Sequence, residues 1–93
     1  MYERALRRIR EKIRSREYVV TTHADDEMNE DGLTIHDVER AVTTGRIVER
    51  QKDRHSSEWK YVIHGASLDS EAAAVVVKLG FTGKVVILTV YRP

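Results

Sequence analysis

Histidine is the one side-chain type that ordinarily titrates near neutrality, and this chain has four, His23, His36, His55 and His64. No two stand four residues apart and no His-Glu-x-x-His occurs, so their spacing suits no helical zinc site. Cysteine is absent, which removes disulfides, thiolate metal ligands and thiol nucleophiles together. The acids Asp25, Asp26, Glu27, Glu30 and Asp31 crowd together, but they lack the alternating ligand positions and central glycine of a calcium loop. Ser56, Ser57, Ser67 and Ser70 sit in polar stretches, none within a Gly-x-Ser-x-Gly elbow. The five glycines are single turn residues and form no phosphate-cradling loop. These patterns point to no metal and no cofactor.

What remains is histidine among cations, with a C-terminal aromatic. His64 and Lys60 are four residues apart, and Lys78 follows on the next apolar run. Thr89 and Tyr91 alternate near the end, Arg92 follows them, and Arg46 opens an earlier run after Gly45. A neutral imidazole can take a proton from a ribose 2′-hydroxyl while Lys or Arg holds the adjoining phosphate. Such cleavage of RNA needs no metal. His23 stands at the start of a predicted helix, where the positive end of the helix dipole favours a neutral ring. Plainer roles stand beside these: His23 as a cap or packing residue, Lys60 and Lys78 as solvent-face charges, Tyr91 as a core aromatic.

The elements that must position these groups follow from periodicity. Leu6, Ile9 and Ile13, with Tyr2 one turn earlier, predict a first helix. Its other positions are mostly Arg, Glu and Lys, and its outer face carries Arg4, Arg7, Arg8, Arg10, Lys12 and Arg14. As a plain wet surface this face would hold ion pairs such as Glu3 with Arg7 and Glu11 with Arg14. Tyr18 to Thr21 reads as an edge strand or extended connector. Thr22 reads as an N-cap with Asp25 three residues on, opening a helix from His23 to Asp31 that Gly32 stops. Met28 is its expected core residue. Thr34 and Asp37 form a capping box for a second helix, with Ile35, Val38, Ala41 and Val42 on its apolar face and Gly45 as its stop.

Beyond Gly45 the period becomes two. Arg46 to Lys52 predicts a strand, 53–57 a polar loop, and Glu58 to His64 a strictly alternating strand. Trp59, Tyr61 and Ile63 take one of its faces; Glu58, Lys60, Val62 and His64 take the other. Gly65 to Ser70 reads as a turn, Glu71 to Gly80 as a buried strand, Phe81 to Lys84 as a tight hairpin and Val85 to Tyr91 as the last strand. The expected fold is α+β: an N-terminal helix and an αα-hairpin packed on a mainly antiparallel sheet of four to five strands.

Charge is blocked along the chain although the net is only +1. Residues 1–16 hold seven Lys or Arg against two Glu; residues 17–40 hold eight acids against Arg40 alone. Such asymmetry suits a charged partner for one block, or two blocks that meet. At 93 residues the chain makes a single domain, 1–93. Its apolar runs are too short to span a bilayer, and its first residues hold no apolar stretch or small-residue cleavage site. The expectation is a cytoplasmic protein without membrane partners.

The set His23-Ala24, a helix to Gly32-Leu33, Thr34 to Val38, Gly45-Arg46-Ile47-Val48-Glu49, Tyr61-Val62-Ile63-His64-Gly65, Val75-Val76-Val77-Lys78 and Val86 to Pro93 resembles the DUF4258 family over about residues 18–93. The basic first segment, residues 1–16, lies outside the resemblance. The resemblance implies a small α+β domain related to RelE-like and MqsR-like toxins, among the barnase- and RelE-like ribonucleases. It implies the toxin of a type II toxin–antitoxin pair, cleaving mRNA without metal, on the ribosome or off it. An antitoxin partner, often of zinc-finger type, goes with it. The family's His-Ala falls on His23 and Ala24, its glycine on Gly45, and its C-terminal Thr-x-Tyr on Thr89 and Tyr91. On this reading His23, Tyr91 and Lys78 carry the chemistry. His23 acts as base or relay, Tyr91 stacks or shuttles a proton, and Lys60, His64, Arg92, Arg46 and Thr89 hold RNA.

Many members carry arginines after the His-Ala, in a pattern like His-Ala-x-x-Arg-Met-x-x-Arg-Gly. Here Glu27 and Asp31 stand at those positions, beside Met28 and Gly32. Each close exposed carboxylate opposes RNA by roughly 1 kcal/mol at low salt. Two other readings follow. One is a non-catalytic module that binds protein or RNA. The other is a homo-oligomer in which the basic first helix packs on the acidic helix of a neighbour.

Overall fold

The computed structural model describes residues 1–80 and 82–93. The elements are α1 (Glu3–Arg14), β1 (Tyr18–Val20), α2 (Thr22–Asp31), α3 (Ile35–Thr44), β2 (Arg46–Lys52), β3 (Trp59–Ala66), β4 (Ala72–Leu79) and β5 (Val85–Tyr91). The strands form one sheet in the order β1-β5-β4-β3-β2. β2 to β5 make the expected antiparallel meander. β1 adds a fifth, parallel strand, with Tyr18 opposite Val85 and Val20 opposite Ile87. The Tyr18 stretch is therefore an edge strand and not a connector, and Tyr18 and Val20 turn into the core.

The helices lie on one face of this sheet. Ile9 and Ile13 of α1, Ala24 and Met28 of α2, and Val38, Ala41 and Val42 of α3 meet Ile63, Ala73, Val75, Val77, Val85, Ile87 and Val90 in one buried cluster. Each large aliphatic side chain so buried contributes about 1.5–3 kcal/mol. α1 lies outside the family resemblance, yet its apolar stripe completes this core. Its Arg10 does not face solvent as expected. It turns inward and donates to the carbonyls of Val42 (3.0 Å) and Gly45 (2.6 Å), tying off the C-terminal end of α3.

Helix ends depart from the sequence reading in one respect and match it in another. Thr21, not Thr22, caps α2: its hydroxyl accepts from the Ala24 amide at 3.1 Å. Thr21 is still extended because its own amide continues the β1 ladder to the Ile87 carbonyl, so the helix can begin only at Thr22. Asp25 is thus no partner in a capping box. Gly32 ends α2 in the left-handed conformation, φ +66°. The Thr34–Asp37 capping box at α3 is complete.

Gly45 and Gly65 are required by close approach. Gly45 is extended (φ −92°, ψ −173°), but a Cβ there would stand 2.5 Å from the carbonyl oxygens of Ala41 and His64. At Gly65 a Cβ would run into the backbone of Ala41. The last turn of α3 therefore rests directly on β3 where both residues lack side chains. Gly65 belongs to β3, opposite Ala73, and does not open a turn as its type had suggested. The expected hairpin at 81–84 includes Phe81, which lies outside the described residues; Gly83 holds φ +87° there.

Candidate functional site

Two bulges decide which side chains share a face. Between Ile87 and Thr89 the β4–β5 register gains one residue, Leu88; between Ile47 and Glu49 the β2–β3 register gains Val48. Before its bulge β5 buries Val85 and Ile87, and after it Val90. The shift turns Thr89 and Tyr91 to the face away from the helices. Without it Tyr91 would share the parity of Ile87.

Cross-strand partners point to the same face of a sheet, so the register gives the helix-free face in rows. One row runs Arg46–His64–Ala74–Tyr91, the next Glu49–Val62–Val76–Thr89, and a third Gln51–Lys60–Lys78–Val86. Six of the residues singled out in the sequence (Arg46, Lys60, His64, Lys78, Thr89 and Tyr91) thus lie together on one face. His64 and Tyr91 stand two strands apart, about 10 Å between their backbones. Between them lies Ala74, whose methyl is fully covered. The imidazole and the phenol flank that alanine in the row, with Arg46 on the far side of His64. His64 and Arg46 are exposed and Tyr91 is half-buried.

Lys78 has other partners. Its ammonium lies 3.1 Å from Glu58 Oε1 and 3.3 Å from Asp53 Oδ2. The Glu58 hydrogen bond chiefly, and then Asp53, holds the lysine pKa above its ordinary value against the opposing effect of burial. Asp53 is held below the usual carboxylate range, first by the His55 amide and, more weakly, by Lys78. Lys78 therefore clasps the β2–β3 loop to the sheet. Among the described residues, Arg46 and Lys60 have no such carboxylate within ion-pair distance.

His23 lies apart from these rows, at the second position of α2. Its side chain is 70 % exposed, and Nε2 is 3.4 Å from Glu27 Oε1. The same oxygen accepts the Val90 amide at 3.0 Å. β1 is only three residues long, so among the described residues the edge of β5 beyond Ile87 has no strand beside it. α2 covers that edge instead. The Thr21 hydroxyl donates to Leu88 O (3.3 Å), Glu27 takes the Val90 amide, and Arg92 reaches the Asp31 carbonyl (3.2 Å from Nη2) and Glu71 (2.8 Å). Glu27 thus has a structural use, and Arg92 spends its guanidinium on the same seam. Through one carboxylate oxygen His23 is coupled to β5 next to Tyr91.

Two features of this region go beyond the sequence reading. Asp37 is buried; it accepts Thr34 N at 2.8 Å and also Leu68 N at 2.9 Å, pinning the β3–β4 turn to α3. These backbone bonds, Thr34 first and then Leu68, hold its carboxyl below the ordinary range despite burial. Trp59 is exposed at 38 %, with the Arg50 guanidinium 3.9 Å from its ring centre and the Lys52 ammonium at 4.5 Å. Two cations alternating on one strand opposite an aromatic was the available signal. Of the ion pairs expected along α1, Glu3–Arg7 and Glu11–Arg14 do not form among the described residues. Glu3 meets the N-terminal ammonium instead, and Arg4, Arg7, Arg8 and Arg14 are exposed. No three His, Asp or Glu side chains of the described residues gather as a metal site, and no helix there is long and apolar enough to cross a membrane.

Fold and site together define a small α+β domain: among the described residues, three helices on one face of a five-stranded mixed sheet, with a polar, histidine-bearing face left open. The chain belongs to the family described as a domain of unknown function, DUF4258, whose model matches residues 20–92. No curated protein and no solved structure matches it.

Proposed function

We propose that this chain is a toxin-like endoribonuclease of the RelE/barnase-related kind, cleaving RNA without a metal on the helix-free face of its sheet. One observation carries the reading: register and bulges bring Arg46, His64 and Tyr91 into a single row, with Thr89 and Lys60 in the rows beside it. In this mechanism Arg46 and Lys60 hold the scissile phosphate. The imidazole of His64 in this row, or that of His23 at its β5 border, takes the 2′-hydroxyl proton. The 2′-oxygen attacks phosphorus and the P–O5′ bond breaks. Tyr91 gives its proton to the departing 5′-oxygen, leaving a 2′,3′-cyclic phosphate and a 5′-hydroxyl. Glu27 Oε1 stands 3.4 Å from His23 Nε2, so Nδ1 is the ring nitrogen away from that carboxylate and the one to receive a proton. The resemblance adds a type II antitoxin as partner.

Labelled RNA incubated with the protein and EDTA tests this. Cyclic-phosphate ends are expected, with loss of cleavage of at least a hundredfold in His64→Ala or His23→Ala and in Tyr91→Phe. RNA left intact by the wild type, or cut equally by all three variants, overturns it.

A second reading has its own observation. Lys78, Arg92 and His23 each face a carboxylate, and the family's two arginine positions hold Glu27 and Asp31. A fold that has given up its phosphate clamps would bind RNA or a protein partner without turnover. Intact RNA retained in a stable complex favours this reading over the first.

A further inference from the structure

On the helix side of the β2–β3 hairpin, where Tyr2 packs just ahead of α1, cations and aromatics alternate. Lys52 stands directly opposite Trp59, and Arg50 opposite Tyr61. Arg50 lies 3.9 Å over the Trp59 ring and 5.7 Å from that of Tyr2, which meets Tyr61 edge-on at 6.3 Å. Arg50, Lys52 and Trp59 are all exposed. Among the described residues neither cation has a carboxylate within ion-pair distance, in contrast to Lys78 nearby. Arg54 follows in the adjoining loop, and Lys60, next to Trp59, faces the opposite side of the sheet.

We infer that this patch is a docking subsite for single-stranded RNA, with Arg50 and Lys52 on consecutive phosphates and a base stacked on the Trp59–Arg50 pair. The inference rests on the RNA-directed reading above and adds a second contact outside its reactive row. Three features on the page favour this occupant. The cations are unneutralised, so a polyanion releases counterions on binding them. Residues 50 and 52 are two apart on one strand, about 6.7 Å, comparable to one step of an extended sugar–phosphate chain. The exposed indole, with the Arg50 guanidinium 3.9 Å and the Lys52 ammonium 4.5 Å from its ring centre, offers the sequence-tolerant stacking surface that single-stranded nucleic acid uses once Lys52 turns to phosphate. β2 is the last strand of the sheet, so an RNA strand can turn around its edge from this patch to Lys60 and Arg46.

Trp59 is the only tryptophan of the chain, so its own emission reports on the site. The experiment titrates the full chain with a short 2′-O-methylated oligouridylate, which binds as RNA but cannot be cleaved through its 2′-oxygen. The expected result is saturable quenching of Trp59 emission, weakened by salt. Labelled-oligonucleotide anisotropy should show affinity lowered about tenfold or more by Trp59→Ala. The surface variant Arg50→Gln/Lys52→Gln should lower it similarly and flatten the salt dependence; it keeps the test valid if Trp59→Ala unfolds. Binding with emission unchanged, or equal affinity in the variants, overturns the inference. Equal quenching by base-free polyphosphate also overturns it, because stacking then plays no part. Tight, Trp59-dependent binding by a protein that leaves RNA intact sinks the ribonuclease reading alone. Cleavage that depends on His64, with binding indifferent to Trp59, sinks this inference alone.

Discussion

The two faces of the sheet come from the same strands and differ in nearly every other respect. Toward the helices stand Ile63, Ala73, Val75, Val77, Val85, Ile87 and Val90, all buried in one cluster. Away from them stand Arg46, Lys60, His64, Thr89 and Tyr91, with Val62 and Val76 between. β4 reads apolar on both faces until Lys78, so composition alone does not separate them. What separates them is parity, and parity is reset by one inserted residue in β5 and one in β2. A helix-covered face tolerates little change in volume; an open face can hold polar groups whose loss barely affects folding. The contrast is therefore measurable as stability on one side and function on the other.

The largest effect should come from the covered face. Ile87→Ala removes most of a fully buried side chain and should cost about 3–4 kcal/mol in urea unfolding. On the open face, Val76→Ala should cost about 1 kcal/mol or less, since Val76 is only half-buried. Equal losses would mean that the open face is covered in solution. Next comes the glycine contact. Gly65→Ala drives a methyl into the Ala41 backbone and should cost about 3 kcal/mol. A neutral result would show that α3 can lift from β3 without penalty.

Asp37→Asn should cost about 2 kcal/mol, because one of its two anchored amides, Thr34 or Leu68, loses a charged acceptor. The pH dependence gives an independent check. The folded pKa of Asp37 lies below its ordinary value of 3.8. Its contribution is therefore complete above that value and is lost as pH falls through the folded pKa. Wild type and Asp37→Asn should converge in stability in strong acid and separate toward neutrality. His64→Ala should leave the melting point within the error of a surface change, while removing cleavage if the open face is the reactive one.

Much of this arrangement was legible in the residues. The Thr34–Asp37 box, the stop at Gly32 and the alternation of Trp59, Tyr61 and Ile63 each depend on local chemistry, and the strand and helix periods they set are those observed. The shared face of His64 with Lys60, and of Thr89 with Tyr91, followed from the same period. What could not be read were contacts between distant segments. Thr21 caps α2 because β5 holds its amide. Arg10 faces inward because the end of α3 needs donors. Gly65 is a strand residue because Ala41 rests on it. Lys78 looked like a phosphate ligand until the β2–β3 loop brought Asp53 and Glu58 to it. In each case a residue's type was compatible with two roles, and a partner twenty or more residues away chose between them.

The smallest predicted effect belongs to that lysine, and it sharpens the comparison most where the two faces look alike. Lys60 and Lys78 are cross-strand neighbours on the open face, identical in type, yet only Lys78 is held by carboxylates. If the face binds phosphate, Lys60→Ala should weaken RNA binding and lower its salt dependence, with no change in stability. Lys78→Ala should do the reverse: RNA affinity nearly unchanged, and stability lower by about 1 kcal/mol or less. The sign with pH follows from the shifts. Lys78 is raised above 10.5, so its contribution is present below that pH and lost as pH rises through the folded value. Asp53 is lowered from 3.8, so its contribution is present above that pH and lost on acidification. The stability difference between wild type and Lys78→Ala should thus be flat across neutrality and shrink at both extremes. If Lys78→Ala weakens RNA binding as much as Lys60→Ala does, the clasp opens to admit phosphate and both lysines belong to the site.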